Sequence, residues 1–153
     1  MSQPTYLALS PLLHARLESL AAGSFKVLTS ASLEEAERLS QKAPAVAALF
    51  AGAVPVSQTG EQSATADPVV RWESRWDVAA IVRTAKQHDQ HASDMHTAAE
   101  SILATVIPSL VGWAPGAGFG RLNVQAARSP IIRRAVAIFP VRFITTNSMR
   151  SEP

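Results

Sequence analysis

The sequence predicts an α+β fold with a mixed, mostly antiparallel sheet and helices packed on one face. Helix and strand patterns are interleaved along the chain, and in two places one strand follows another without a helix between them, which is typical of this class. A length of 153 residues suits one core, so we expect a single domain over residues 1–153.

The first helix is predicted to begin at Ser10-Pro11, because serine can accept free amide hydrogens and proline suits the first helical turn. Its inner face is expected to hold four leucines, Leu12, Leu13, Leu17 and Leu20. Gly23 is expected to end this helix, and residues 25–29 to form a short strand.

The second helix is predicted from the capping-box sequence at Ser32 to Glu35, in which serine and glutamate satisfy each other's backbone amides. Its apolar positions before Pro44 are Leu33, Ala36 and Leu39. Residues 45–56 are apolar and predict a buried strand. The small polar residues 57–68 predict an exposed, flexible loop between two strands.

Residues 70–82 alternate with the period of two that a half-exposed strand requires. One side of this strand is predicted to carry Val70, Trp72, Ser74, Trp76, Val78, Ala80 and Val82. The other side is predicted to carry Arg71, Glu73, Arg75 and Asp77. We expect the two tryptophans to be anchors of the core or of an interface.

A third helix is predicted from the apolar stripe of Met95, Ala99, Ile102, Leu103, Val106 and Leu110. Asp89, Ser93 or Asp94 would cap its start, and Pro108 would kink or shorten it. Two strands over residues 121–127 and 135–146 complete the fold, and a flexible tail is expected from about residue 148.

The charge of the chain is unevenly distributed. From Phe119 to the end there are six arginines and one acidic residue, whereas residues 1–118 carry eight bases and eleven acids. This asymmetry is typical either of a nucleic-acid-binding face or of a basic edge that meets an acidic neighbour. We favour a solvated or subunit-contact surface, because the arginines lack the interleaved aromatic residues of base-stacking surfaces.

No apolar run reaches the about 18 residues of a transmembrane helix, so we expect a protein without a membrane partner. The N-terminus lacks the basic flank and apolar run of a secretory signal. The absence of cysteine excludes a disulfide framework and a thiol nucleophile. It fits folding in a cytoplasm, and it would also fit other compartments.

The segment KQHDQHASDMH raises the question of a metal site, since imidazole and carboxylate groups are ligands of zinc and manganese. Its weak candidate ligands are His88, His91 and His96. His96 lies five residues beyond His91, so that on a helix the two rings point in different directions. We therefore predict a polar entry to the third helix, with no metal and no cofactor.

The chain also lacks the sequence signals of common active sites. The glycines of GAGFG follow a predicted helix and precede a strand, whereas a phosphate-binding loop needs the opposite order. No serine lies in a G-x-S-x-G elbow, and no S-x-x-K set has a second motif beside it. These patterns give no support for an enzyme, and the residues alone leave that alternative open.

The layout resembles the phage tail terminator (tail completion) family of lambda-like and Mu-like phages. The matching segments are SPLLHARLESL, LEEAERLSQKAPAVAALF and WDVAAIV, followed by an L-x-G-W-x-P turn before two closing strands. In this turn Gly112, Trp113 and Pro115 match a fold motif of the family. No catalytic residue is carried over, so the resemblance predicts that the protein is not an enzyme.

The resemblance implies a structural virion protein at the head-tail junction. It would form a ring, usually hexameric, that caps the head-proximal end of the tail tube, stops tube polymerisation and offers an attachment surface to the head. Its partners would be further copies of itself, the tail tube protein, a head-tail connector or neck protein, and the tail sheath protein. DNA would pass through the bore without specific binding.

For the subunit and tube contacts we select four arginines as candidates. Arg71 and Arg75 are expected to face outward on the alternating strand, and Arg134 and Arg142 are assigned to the last strand. Two alternatives of other kinds stay open. One is another neck component, a head-tail joining adaptor. The other is a small metal- or nucleic-acid-binding protein that uses the histidine segment or the arginine-rich C-terminal part.

Overall fold

A computed structural model describes residues 5–28, 33–38, 43–56, 69–83, 91–133 and 135–150. The helices are a short 3₁₀ helix (Tyr6–Ala8), α1 (Leu9–Ala21), α2 (Leu33–Arg38) and α3 (His91–Leu110). The strands are β1 (Lys26–Leu28), β2 (Ala45–Val56), β3 (Val69–Arg83), β4 (Asn123–Ala127), β5 (Ile131–Arg133) and β6 (Val136–Arg150).

The strands form one sheet in the order β1-β2-β3-β6-β4, and β5 pairs with the first residues of β6. Only β1 and β2 run parallel, and every other described pair is antiparallel. The α+β class with a mixed, mostly antiparallel sheet is therefore confirmed.

The ladder between β3 and β6 is the longest pairing in the sheet. All fifteen residues of β3 pair with β6, from the Val69–Arg150 pair to the Arg83–Val136 pair. The second side of β6 is paired by β5, then by β4, and finally by residues 118–120, where the Gly120 amide donates to the Thr146 carbonyl at 2.7 Å. A Cβ atom on Gly120 would lie 2.6 Å from the Thr146 hydroxyl oxygen, so any larger residue here would have to displace that hydroxyl group.

Helices α1 and α3 pack on one face of the sheet, called here the helix face. The main core lies between them and the even-numbered residues of β3, among which Trp76, Val78, Ala80 and Val82 are buried. The predicted apolar stripe of α3 is confirmed, since all its members contribute to this core. Pro108 lies inside α3, which continues to Leu110.

The inner face of α1 differs from the prediction. Leu13 and Leu17 are fully buried, but Leu9 and Ala21 complete their row, and Leu20 is only partly buried. The predicted start at Ser10 is wrong, because the 3₁₀ helix runs directly into α1 and makes the buried Leu9 its first residue. At the other end the chain leaves α1 through a left-handed Ala22 and Gly23, close to the predicted stop.

The predicted bounds of β2 are confirmed, but the predicted burial holds only for its first half, since Phe50, Val54 and Pro55 are exposed. Strand β3 extends one residue beyond its prediction at each end. The strand β5 was not predicted. The last strand was expected to end at Thr146 with a tail from about 148, but in the structure β6 continues to Arg150 opposite Val69.

Some predicted features lie outside the described residues. They are the capping-box residue Ser32, the apolar position Leu39 of the second helix, and the loop 57–68. No helix in the described ranges is long and apolar enough to cross a membrane.

Replacing Leu13 by alanine should lower the free energy of unfolding by about 2–5 kcal/mol, because a fully buried leucine loses its contacts and leaves a cavity. The matched control is Leu12→Ala on the same helix. Leu12 is 38% exposed, so its loss should cost less than about 1 kcal/mol. Urea unfolding of both variants measures the difference, and equal losses would contradict the assigned face of α1.

Candidate assembly surfaces

The side of β3 that turns away from α1 and α3, called here the outer face, carries the predicted polar residues Arg71, Glu73, Arg75 and Asp77. The alternation ends after Asp77, since Ala79 and Ile81 are buried on this face in a second apolar cluster with residues of β1, β2 and β6. The unbroken apolar run of residues 78–82 is the sequence signal for this burial on both faces.

A buried carboxylate holds two arginines on the outer face. Arg142 lies directly opposite Asp77 in the β3–β6 ladder, and its Nε and NH2 groups donate to the two Asp77 oxygens at 2.8 and 3.0 Å. Arg128 donates to the same carboxylate at 3.1 Å. The hydrogen bond from Arg142 to Asp77 raises the pKa of the Arg142 guanidinium, with a further contribution from their opposite charges and an opposing one from burial.

This ion network changes the role of one candidate interface residue. Arg142 is fixed by two hydrogen bonds to Asp77 inside its own subunit, so its charge is already paired with a carboxylate of the same chain. Sequence reasoning missed the contact because Asp77 and Arg142 are 65 positions apart. Arg134 lies outside the described residues.

The other two candidate arginines lie on the outer face near the start of β3, beside exposed valines. Arg71 is exposed, and Arg75 contacts Glu73 at 3.4 Å. Val54 and Val69 on this face are 44% and 41% exposed, and Val56 lies opposite Arg71. We call this surface the arginine face and define it by Val54, Val56, Val69, Arg71 and Arg75.

The opposite side of the sheet has an open groove beside α3, called here the α3 groove. Its volume is about 490 Å³. Its main lining residues are His96, Glu100, Leu103, Ala104, Ile107 and Phe139. The lining is therefore apolar, with one carboxylate and one imidazole, and it was not predicted because Phe139 and α3 meet only through the fold.

A group of aromatic rings packs together on the helix face, near the first residues of β3. Tyr6 stacks on Phe50 with ring centroids 5.4 Å apart, and it also contacts Trp72 at 5.4 Å. Trp76 is buried, and its indole nitrogen donates to the Ser74 hydroxyl at 3.2 Å. Trp76 is thus a core anchor, whereas Trp72 is only partly buried.

The L-x-G-W-x-P segment reverses the chain after α3. Gly112 has a φ of +76°, the left-handed conformation that ends a helix. Its amide donates to the Leu122 carbonyl at 2.7 Å, and the Leu122 amide donates to the Trp113 carbonyl at 2.9 Å. The Arg16 guanidinium lies 5.7 Å from the Trp113 ring centroid and donates to the Ser109 carbonyl at 3.1 Å, which joins α1 to the end of α3.

Among the three candidate histidine ligands, only His96 has a described side chain. His96 is exposed, and its ring meets Phe139 edge-on at 5.3 Å. His88 lies outside the described residues, and the side chain of His91 is not described. Within the described ranges no group of three potential ligands is close enough to hold a metal.

The predicted caps of α3 also need correction. The helix begins at His91, so Ser93 and Asp94 lie within its first turn and cannot be the N-cap. Asp94 still places a negative charge near the positive end of the helix. Asp89, the third candidate, lies outside the described residues.

Comparison with models of known protein families gives a match over residues 3–153 to the phage tail terminator family, described as "Phage tail terminator protein". The match spans nearly the whole chain and includes every described element. A search of curated protein sequences finds no significant match.

Replacing Asp77 by asparagine should lower the free energy of unfolding by about 2–3 kcal/mol, because Arg142 and Arg128 lose their carboxylate. The matched control is Glu73→Gln on the same strand and face. Its contact with Arg75 is longer and partly exposed, so the control should lose less than about 1 kcal/mol. Similar losses in urea unfolding would show that the Asp77 network has no special role.

Replacing Gly112 by alanine should destabilise the protein by about 1 kcal/mol or more, since a Cβ atom is unfavourable at this positive φ. Gly112→Asn is the control, because asparagine tolerates the left-handed conformation better than alanine. Thermal unfolding of the two variants measures the difference. An alanine variant as stable as the parent would contradict the left-handed helix end.

Proposed function

The chain belongs to the phage tail terminator family, and from this premise we propose that it forms a hexameric ring at the head-proximal end of the tail tube. The family supports a structural role in the phage tail and a place in the virion, and it is not a known family of enzymes. In the proposed role, the ring stops addition of further tube subunits and provides the surface to which the filled head attaches.

The observation that carries this proposal is the family match over residues 3–153. The fold adds support, because a ring subunit needs two different surfaces that meet head to tail. The arginine face and the α3 groove lie on opposite sides of one sheet and differ in charge and shape. Either surface could therefore contact a neighbour without blocking the other.

We propose that the direct partners are further copies of the chain, the tail tube protein and a head-tail connector, with the sheath protein as a further partner in a contractile tail. DNA would pass through the bore without specific binding. In support, three described arginines are already paired with carboxylates of their own subunit: Arg75, Arg128 and Arg142. Paired arginines have less charge available for phosphates.

Assembly would take place in the host cytoplasm, and the finished ring would lie at the head-tail junction. Among the candidate interface residues, Arg71 is the better one for testing assembly. Reversing Arg142 would also break its contact with Asp77, and reversing Arg75 would break its contact with Glu73.

The proposal predicts that the purified protein shortens tail tubes when it is added to polymerising tube protein of the same phage. Negative-stain images should show a ring of about six subunits at one end of each tube, as expected for closed cyclic symmetry. Native mass spectrometry of the protein and of capped tubes gives the ring number. Tubes without the protein are the control.

Two results would contradict this function. The first is a monomer that neither binds tube ends nor changes tube length at any concentration. The second is a ring that binds the isolated portal of the head and ignores the tube, which would favour a head-tail joining adaptor.

A further inference from the structure

We infer that the α3 groove of one subunit receives the arginine face of a second copy of this chain. The inference rests on the proposed ring and names the two surfaces that would form its repeated contact. It assigns Glu100 and the apolar residues of α3 to one side of the contact, and Arg71 with the exposed valines to the other.

The arginine face has the composition of a protein-binding surface. Val54 and Val69 expose 44% and 41% of their area, and Arg71 is exposed beside them. Apolar side chains together with arginine are common at the centres of protein interfaces, whereas single exposed valines would need no explanation. Glu73 lies opposite Val54 on this face and contacts Arg75. Two arginines and one glutamate therefore give this small apolar surface a net positive charge.

The α3 groove has the complementary chemistry. Leu103, Ile107 and Phe139 give it an apolar lining, and its volume of about 490 Å³ is large enough for aliphatic side chains. Its carboxylate comes from Glu100. The helix His91–Leu110 carries two acidic residues, Asp94 and Glu100, and no lysine or arginine, so its exposed side is negatively charged.

The charges of the two surfaces also argue against a two-fold symmetric dimer. In a two-fold dimer each surface would meet its own copy, so Arg71 would face the arginine face of its partner and Glu100 another acidic α3. The first arrangement brings together two surfaces of net positive charge, and the second brings together two acidic helices. Pairing the arginine face with the α3 groove brings opposite charges together. Because the two surfaces lie on opposite sides of the subunit, each copy can contact one neighbour through its arginine face and another through its α3 groove.

Strand addition at the sheet edges explains assembly less well. Strand β1 pairs only with residues 45–47 of β2, and the rest of that edge has no partner among the described strands. This free edge is irregular, because it contains a register shift at Gly52 and a proline at position 55. The edge strand β4 has a second register shift, at Gln125. Bulges and proline interrupt continuous backbone pairing, so side-chain contacts between faces are favoured.

The first test exchanges the charges. Arg71→Glu and Glu100→Arg should each weaken subunit association by up to about fivefold per contact at low salt, and the double variant should recover most of the loss. Sedimentation over a dilution series measures association. Arg83→Glu, an exposed arginine at the other end of the same strand, is the matched control and should have little effect.

A double variant at least as weak as the worse single variant would overturn the inference. The same holds if Arg71→Glu leaves the ring intact but prevents its attachment to tube ends, since the tube protein would then be the partner of the arginine face.

The second test uses the absence of cysteine in the chain. Val54→Cys and Ala104→Cys place one thiol on the arginine face and one beside the α3 groove, both at exposed positions that should tolerate the change. Mild oxidation of the double variant should give a ladder of disulfide-linked multimers. Each single variant can give only dimers. The control pair, Val54→Cys with Gln125→Cys on exposed β4, should react more slowly.

The outcomes separate the inference from the ring itself. A parent protein that forms rings, with a Val54→Cys/Ala104→Cys variant that yields no ladder or reacts no faster than the control pair, overturns the inference and leaves the ring in place. A parent protein that forms no ring even on tube ends contradicts the proposed function, and the inference falls with it.

Discussion

The fifteen-residue ladder between β3 and β6 fixes both the core and the surfaces of this protein. Because side chains alternate along a strand, one register places Trp76 and Val78 against the helices and Arg71 and Arg75 on the outer face. A shift of one residue would exchange these sets and bury the arginines. The energy that buries the core therefore also determines which charges are available for assembly.

Asp77 makes this register more specific than hydrophobic burial alone would. Its carboxylate meets Arg142 directly across the ladder and Arg128 from the segment after β4, so three parts of the chain must be in place together. Such a network is costly when incomplete, because a desolvated charge then has no partner. The second side of β6 is held by β5, β4 and residues 118–120. The remaining edges at β2 and β4 are irregular, which favours the proposed contacts through the faces of the sheet.

Much of this arrangement could be predicted from local patterns. The alternation of residues 70–82 predicts β3 and its two faces, and the apolar stripe from Met95 to Leu110 predicts α3. The failures have a common physical cause. The start of α1 depends on burial of Leu9, β5 depends on pairing with β6, and the partners of Asp77 come from distant strands. Each of these depends on contacts between residues far apart in sequence, which periodicity does not reveal. The α3 groove is also a product of the fold, since Phe139 and α3 have no local relation.

The small size of the proposed contact fits a ring better than a pair of subunits. Two exposed valines and a partly solvated ion pair contribute little to a single association, which must also offset the lost freedom of the two partners. In a closed ring the last subunit makes two contacts while losing its freedom only once. A surface too weak for a stable dimer can therefore support a ring, most readily when the end of a tube already holds the subunits together.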